Sequence, residues 1–92
     1  MLVNSARGAV NDEAAVARAV KEGRIAAYGT DVYSIEPVNE DNPMYHIKDM
    51  GNVILTPHMA WGAYESRVRV VEEVHENIRA FLNGEVRNRV DL

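Results

Sequence analysis

The sequence contains no cysteine, which excludes disulfide bonds, thiolate catalysis and cysteine-based zinc sites. Basic residues are few: 10 Lys and Arg stand against 14 Asp and Glu, and the net charge of -4 argues against a nucleic-acid partner. No apolar run approaches the roughly 20 residues that span a bilayer. The chain also opens on Leu2-Val3 rather than on a basic leader. We therefore expect a cytoplasmic protein with neither a membrane nor a nucleic-acid partner.

Two further kinds of site lack support in the sequence. No Gly-x-Gly-x-x-Gly occurs, although many α/β folds use that turn to hold a pyrophosphate. His46 and His75 have no neighbouring ligands at metal-binding spacing, so we expect no metal site. What remains is a chain of 92 residues, long enough for one domain with a small core.

Hydropathy patterns predict the order strand, helix, strand, loop, strand, helix. Three short apolar segments predict the strands, at residues 1–5, 25–33 and 53–56. The first helix is expected to begin at Asn11 or Asp12 and to end at Gly23. Residues 39–50 are polar and read as a surface loop. Strands that alternate with helices predict an α/β fold with parallel strand pairing, a partial doubly wound (Rossmann-like) sheet of about three strands.

The long C-terminal helix, residues 64–83, carries the clearest periodicity. Its apolar residues repeat every three or four positions, at Tyr64, Val68, Val71, Val74, Ile78, Phe81 and Leu82. This stripe is long for so small a sheet, so part of it is expected to cover something outside the chain. The third strand is apolar throughout, which predicts a strand covered on both faces. Small residues around Gly29 in the second strand indicate either a close approach to the backbone or tight helix packing.

Three segments with chemically useful side chains follow the three predicted strands. They are Asn4-Ser5-Ala6-Arg7-Gly8, the stretch from Asp31 to Glu36-Pro37, and Thr56-Pro57-His58-Met59-Ala60-Trp61. Ligands of parallel sheets bind at the carboxyl ends of the strands. All three segments are therefore expected on the same edge of the sheet.

The residue types in these segments suit the reduction of a 2-oxo acid by hydride. The Arg7 guanidinium offers a fork of donors that matches a substrate carboxylate. His58 can give a proton to the oxygen as hydride reaches the carbon, and a carboxylate beside it, at Glu36, would stabilise the imidazolium. Asp31 could accept from the carboxamide of a nicotinamide ring.

Each of these residues also has an ordinary structural explanation. Arg7 could cap a helix or pair with a surface acid, and Glu36 could be a solvated turn residue. His58 could be a structural histidine, and Trp61 could belong to the core. Taken one at a time, the structural explanations are the simpler ones. The occurrence of all of them at successive strand ends favours the chemical interpretation.

At these residues the chain resembles the C-terminal portion of a D-isomer-specific 2-hydroxyacid dehydrogenase. The matching pieces are Leu2 to Gly8, Asp12-Glu13, Gly29 to Val32 with Glu36-Pro37, and Asn52 to His58. Within the family, His58 to Trp61 and the ending Ile78 to Gly84 are most similar to glycerate dehydrogenase and hydroxypyruvate reductase members. Asn11 departs from the pattern, since family members usually carry an apolar residue there.

The resemblance implies a role for each residue of the site. Arg7 would bind the substrate carboxylate, His58 would be the acid/base catalyst and Glu36 its partner. The nicotinamide end of NAD or NADP would be lined by Ser5, Ala6, Arg7, Asp31, His58 and Trp61. The substrate would be a small 2-oxo or 2-hydroxy acid of the hydroxypyruvate or glyoxylate type.

The resemblance also implies that much of such an enzyme lies outside these residues. Residues 1–92 would form the C-terminal part of the NAD(P)-binding domain, with 64–83 as the long returning helix. The substrate domain and the glycine-rich half would be absent, so these residues alone are expected to be inactive. An open strand edge and an apolar helix predict a homo-oligomer, such as a homodimer. Non-catalytic alternatives are a dinucleotide-sensing corepressor relative and an oligomerisation module.

Overall fold

The structure is a computed structural model that describes residues 1–90. In chain order, the strands and α-helices are β1 (Leu2–Asn4), α1 (Glu13–Lys21), β2 (Tyr28–Thr30), β3 (Val53–Leu55) and α2 (Tyr64–Leu82). Short 3-10 helices lie between them at Gly8–Val10, Tyr45–Ile47 and Ala60–Gly62. The chain divides into two compact units, residues 1–60 and the segment from Trp61 onward. The predicted order of elements is confirmed, although the second strand is much shorter than residues 25–33.

The sheet has the order β1-β2-β3, and both pairs are parallel. The register aligns Val3 with Gly29 and Gly29 with Ile54, so these three residues form one row across the sheet. Because side chains alternate along a strand, this row lies on one face and the two flanking rows lie on the other. The predicted α/β class with parallel pairing is confirmed.

Helix α1 begins and ends where its sequence specifies. The Asp12 carboxylate caps it by accepting from the Ala15 N–H at 2.9 Å. Gly23 follows the helix with a φ of 70°, a left-handed conformation that glycine adopts without steric cost. Its buried side chains, Val16, Ala17 and Val20, pack into the core with Tyr28 of β2. Helix α1 therefore covers part of the sheet face that carries Tyr28.

The polar segment 39–50 is more than the surface loop predicted for it. Met44 and Ile47 are 0% and 1% exposed and belong to the core cluster. Asn42 is also buried, and its Oδ1 accepts from the Met44 N–H at 2.8 Å. His46, Lys48 and Asp49 beside them are exposed, and two apolar positions alone are too few to establish a strand or helix period in the sequence. The segment therefore carries part of the core that α1 needs.

The prediction that the third strand is covered on both faces is wrong. Val53 is buried, but Ile54 is 69% exposed and lies in the same row as exposed Val3. Gly29, between them, has room for a methyl group: an added Cβ would lie 3.9 Å from the nearest Val3 side-chain atom. Within unit 1 nothing therefore approaches the Gly29 backbone closely. The apolar row on this face is exposed.

The second unit consists mainly of α2, which ends at Leu82 and is followed by its cap Asn83 and by Gly84 with a φ of 72°. Its C-terminal extension folds back, and Arg87 forms an ion pair with Glu73 at 2.8 Å. The apolar stripe of the helix is exposed, including Val71 and Phe81. Within residues 1–90 no helix has the length and apolar character needed to cross a membrane.

Candidate active site

The carboxyl ends of the three parallel strands place three segments at one edge of the sheet. β1 ends at Asn4, β2 at Thr30 and β3 at Leu55, and the register aligns these three residues. The polar residues that follow each strand therefore begin at the same level. Backbone bonds extend the alignment, because the Asp31 N–H donates to the Asn4 carbonyl and the Thr56 N–H donates to the Thr30 carbonyl, both at 3.0 Å.

Asn4 shapes the segment that carries Arg7. The Asn4 side chain is buried, and its Nδ2 donates to the Arg7 carbonyl at 2.9 Å and to Asn11 Oδ1 at 2.6 Å. Its Oδ1 accepts from the Ala6 N–H at 3.1 Å. Asn11, the departure from the family pattern, thus supplies an acceptor for Asn4. Ser5, Ala6 and Arg7 are held in an exposed turn, and the Arg7 guanidinium donates to the Ala6 carbonyl at 2.8 Å.

Glu36 and His58 form a hydrogen-bonded pair across the edge of the sheet. His58 Nδ1 lies 2.7 Å from Glu36 Oε2, and both side chains are about one-third exposed. The other Glu36 oxygen accepts from the Tyr33 N–H at 2.9 Å. The bond from His58, then the bond from Tyr33, lower the pKa of the Glu36 carboxyl, with smaller contributions from the charges of His58 and Arg7. Glu36 is therefore held as a carboxylate at neutral pH.

Asp31 holds the backbone that follows His58. Its Oδ1 accepts from the Thr56 hydroxyl at 2.6 Å and from the Met59 N–H at 2.9 Å. Its Oδ2 accepts from the Ala60 N–H at 2.8 Å. The Thr56 bond is the largest cause of the lowered pKa of Asp31, followed by the Met59 bond. Asp31 is 7% exposed, so this carboxylate acts as a fixed anchor inside the edge of the sheet.

The backbone at His58 is strained. Its φ of 54° lies in the left-handed region, which costs a non-glycine residue roughly 1–2 kcal/mol. The Asp31 bonds to Met59 and Ala60 stabilise this conformation from the two following residues. Strain that is retained in this way commonly marks a functional position. Here the residue in that conformation is the one whose imidazole contacts Glu36.

A small cavity adjoins the pair. It has a volume of about 140 Å³ and is lined by Tyr33, Glu36, Pro37, Val38, Pro57 and His58. Burial raises the pKa of the Tyr33 hydroxyl, with nearby carboxylates as smaller causes, so Tyr33 stays neutral. That hydroxyl donates to the Thr56 carbonyl at 3.0 Å. The cavity therefore has a neutral, largely apolar wall beside one titratable pair.

The structure brings together most, but not all, of the predicted residues. Asp31, Glu36 and His58 belong to one connected set of bonds in the first unit, and Arg7 contributes its charge to Glu36. Trp61 is 60% exposed and belongs to the second unit, so its cofactor role stays a prediction. Among residues 1–90 no three histidines or acids group to hold a metal ion.

Sequence reasoning missed three supports of this site. Tyr33, Thr56 and Glu13 carry hydrogen bonds that fix the segments, yet none belongs to a periodic pattern. The sequence offers a signal for Thr56 alone. A polar residue directly after an apolar strand is expected to be poorly accessible and therefore to need a hydrogen-bond partner. An acid in the first turn of a helix, such as Glu13, is already explained by the helix dipole, so the sequence gives no reason to expect a second role.

The two carboxylates predict an acid-sensitive fold. Both folded pKa values are lowered, so the unfolded chain binds more protons than the folded chain as pH falls through the ordinary carboxyl range. The stability that these two carboxylates contribute is therefore present above the ordinary carboxyl pKa range, which ends at about 4.5, and is lost as the pH falls through their lowered pKa values. We expect the urea midpoint of unfolding, followed by circular dichroism, to fall as the pH is lowered across this range.

Glu36→Gln should make the decline of the urea midpoint with falling pH shallower. Glu22→Gln, at the exposed end of α1, is the control and should keep the parental slope. Equal slopes in the two variants would contradict the stabilising role assigned to the Glu36 carboxylate.

The fold and the site together define an α/β domain of the dinucleotide-binding type with a hydrogen-bonded glutamate–histidine pair at the carboxyl edge of its sheet. Comparison with known proteins specifies the class further. Residues 1–60 match the model of the D-isomer specific 2-hydroxyacid dehydrogenase NAD binding domain. The chain belongs to this family, and the resemblance predicted from its motifs is confirmed.

Named relatives show the same relationship. The chain is 44% identical over 86 residues to a glyoxylate reductase of Korarchaeum cryptofilum, covering 94% of the chain and 25% of that protein. It is 37% identical over 91 residues to a glycerate dehydrogenase of Methylorubrum extorquens, covering 99% and 29%. The chain thus spans little more than a quarter of the length of these curated relatives.

A solved structure agrees in fold. The D-isomer specific 2-hydroxyacid dehydrogenase of Xanthobacter autotrophicus Py2, in complex with NADPH and MES, superposes with a TM-score of 0.73 and 40% identity. The match covers 97% of this chain and 35% of that one. The Rossmann-like character predicted for the sheet is confirmed.

Proposed function

We propose that this chain forms the catalytic edge of an NAD(P)-dependent oxidoreductase that interconverts a small 2-oxo acid and the corresponding 2-hydroxy acid. The observation that carries the proposal is the Glu36–His58 pair, with its 2.7 Å bond and its strained, anchored backbone. Glyoxylate and hydroxypyruvate are the proposed substrates, because the relatives described above are a glyoxylate reductase and a glycerate dehydrogenase.

His58 is the proposed acid/base catalyst. Its Nδ1 is engaged by Glu36, so Nε2 is the nitrogen that gives the proton to the substrate oxygen during reduction and takes it back in the reverse direction. Reduction requires a proton on His58, and the Glu36 carboxylate at 2.7 Å from Nδ1 orients the imidazole for that transfer. After the proton leaves, His58 is neutral and must be reprotonated for the next reduction.

Arg7 is the proposed substrate anchor. It lies in the exposed turn after β1, at the same edge of the sheet as the Glu36–His58 pair. A guanidinium can bind a carboxylate through two parallel hydrogen bonds, which would fix the 2-oxo acid by its acid group. That orientation would direct the neighbouring carbonyl oxygen toward His58.

The residues of this chain fit the nicotinamide end of the cofactor. Asp31 Oδ2 accepts one bond, from Ala60, and a carboxylate oxygen can accept a second. Asp31 would hold the cofactor's carboxamide, with Ser5, Ala6, Arg7, His58 and Trp61 lining the ring. When bound, NAD(P)H supplies the hydride. No glycine-rich turn for a pyrophosphate occurs in this sequence. Under this proposal the cofactor's pyrophosphate is bound by another part of the enzyme.

We further propose that residues 1–92 correspond to the C-terminal part of an NAD(P)-binding domain, with 64–83 as its returning helix. The chain covers 25% and 29% of two relatives, which supports its being one part of a larger enzyme, and the order of its motifs suggests the C-terminal part. The 92-residue chain is also proposed to form a homo-oligomer, such as a homodimer, because strand β1 lies at an edge of the sheet and its Val3 is exposed. A strictly monomeric sedimentation profile of the 92-residue chain at high concentration would contradict this self-association.

The experiment that tests the function begins with the intact mass of the native gene product that contains this sequence. That product is then assayed with glyoxylate and hydroxypyruvate, using NADH and NADPH, alongside the 92-residue chain alone. We expect turnover by the native product and none by the 92 residues. A native product without turnover on either acid would contradict the proposal, and activity of the short chain would contradict the proposed division.

A further inference from the structure

Glu13 is a buried acid at a helix position where acids are normally solvated. It is the first residue of α1, yet it is 8% exposed. Its Oε1 accepts from the Ser34 N–H at 2.8 Å. Its Oε2 accepts from the Ser34 hydroxyl and, at 3.0 Å, from Asn42 Nδ2. Complementing the helix dipole needs neither the burial nor these three bonds, which all reach across to the segment after β2.

Ser34 belongs to the turn from which Glu36 reaches His58. The preceding amide, that of Tyr33, donates to Glu36 Oε1 at 2.9 Å. The Tyr33 side chain is tied at the same time to the third strand, since its hydroxyl donates to the Thr56 carbonyl, two residues before His58. Consecutive amides of one turn are thus held by two carboxylates, Ser34 by Glu13 and Tyr33 by Glu36.

The Tyr33–Ser34 peptide also packs against a second segment, the one that follows β1. Gly8 lies directly after Arg7, and a Cβ added there would overlap the carbonyl carbon of Tyr33 and the nitrogen of Ser34. The chain after β1 therefore packs backbone against backbone on the Tyr33–Ser34 peptide. Glu13 draws that peptide toward α1, while Gly8 limits how closely it can approach.

We propose that Glu13 is a positioning residue for the Glu36–His58 pair: its carboxylate fixes Ser34, and thereby the turn whose Tyr33 amide holds Glu36 against His58. The catalytic meaning of this role rests on the proposed function, but the positional role can be measured without turnover. Glu13 itself lies behind the turn and is not expected to contact substrate.

Glu13→Asp is the decisive variant, because it keeps the negative charge at the start of α1 while shortening the reach to Ser34 and Asn42. Two quantities are followed by NMR in the full 92-residue chain. The first is the titration midpoint of the Glu36 carboxyl carbon, which we expect to rise toward that of an ordinary glutamate. The second is hydrogen exchange of the Tyr33 amide, which we expect to accelerate by at least about tenfold while the amides of β2 keep their rates.

Glu22→Asp, at the exposed end of the same helix, is the matched control and should leave both quantities unchanged. If folded Glu13→Asp shows the parental Glu36 midpoint and the parental Tyr33 exchange, the proposal is wrong and Glu13 serves the helix alone. Should Glu13→Asp fail to fold, Ser34→Ala decides by the same two readouts, since it deletes only one of the bonds. Neither result depends on whether the native product turns over a 2-oxo acid.

Discussion

His58→Gln is expected to lower kcat for 2-oxo acid reduction by the native gene product by about 10³-fold. Glutamine can still donate and accept hydrogen bonds, but its amide cannot transfer a proton at neutral pH. The 2.7 Å bond that Glu36 makes with Nδ1 would also lose its imidazole partner. Steady-state kinetics with glyoxylate and either reduced dinucleotide measure the effect. The KM for the dinucleotide should change much less, because the residues that would grip its phosphates lie elsewhere.

His46→Gln is the matched control for this experiment. His46 is exposed in the short helix Tyr45–Ile47, and the proposed chemistry gives it no role. The same chemical change there should leave kcat within about twofold of the parent. Comparable losses in the two variants, or an active His58→Gln enzyme, would remove His58 from the role of acid/base catalyst.

Gly8→Ala is expected to cost at least about 3 kcal/mol of the free energy of unfolding. The new methyl group would overlap the backbone of Tyr33 and Ser34, and backbone atoms cannot rotate away as a flexible side chain can. Small domains are stabilised by only about 5–15 kcal/mol in total, so the loss is a large share. Urea unfolding of the 92-residue chain, followed by circular dichroism, gives the value.

Gly51→Ala serves as the control for the added methyl group. Nothing lies within 4 Å of a Cβ at Gly51, so its stability should be equal to the parent or slightly higher. A Gly8→Ala chain as stable as the Gly51→Ala chain would show that the turn carrying Glu36 is not packed against the segment after Arg7. That outcome would also weaken the positioning role proposed for Glu13.

Much of the fold could be predicted because its determinants are local. Asp12 caps α1 and Gly23 ends it through side-chain and backbone preferences that act within a few residues. The alternation of strands and helices specified parallel pairing, and parallel pairing placed Arg7, Glu36 and His58 after the ends of their strands. The membership in a dehydrogenase family followed from motifs that are contiguous in sequence.

The errors in prediction have a common physical origin. Ile54 was expected to be covered because its strand is wholly apolar, but covering depends on what packs against that face and not on the strand itself. Met44 and Ile47 were assigned to a surface loop because polar neighbours surround them in sequence. Burial depends on how the whole chain packs. The spacing of apolar residues along the sequence predicts burial only within a regular helix or strand.

The sequence by itself determined the class of fold, the order of its elements and the residue types at the edge of the sheet. Only the tertiary structure decided how those residues are held: Asp31 anchors the peptides after His58, and Glu13 holds the turn that carries Glu36. These bonds join residues 21 to 29 positions apart. Partners so far apart in sequence come within hydrogen-bonding distance only when the chain between them closes into a loop. Such contacts therefore exist only after the strands have paired.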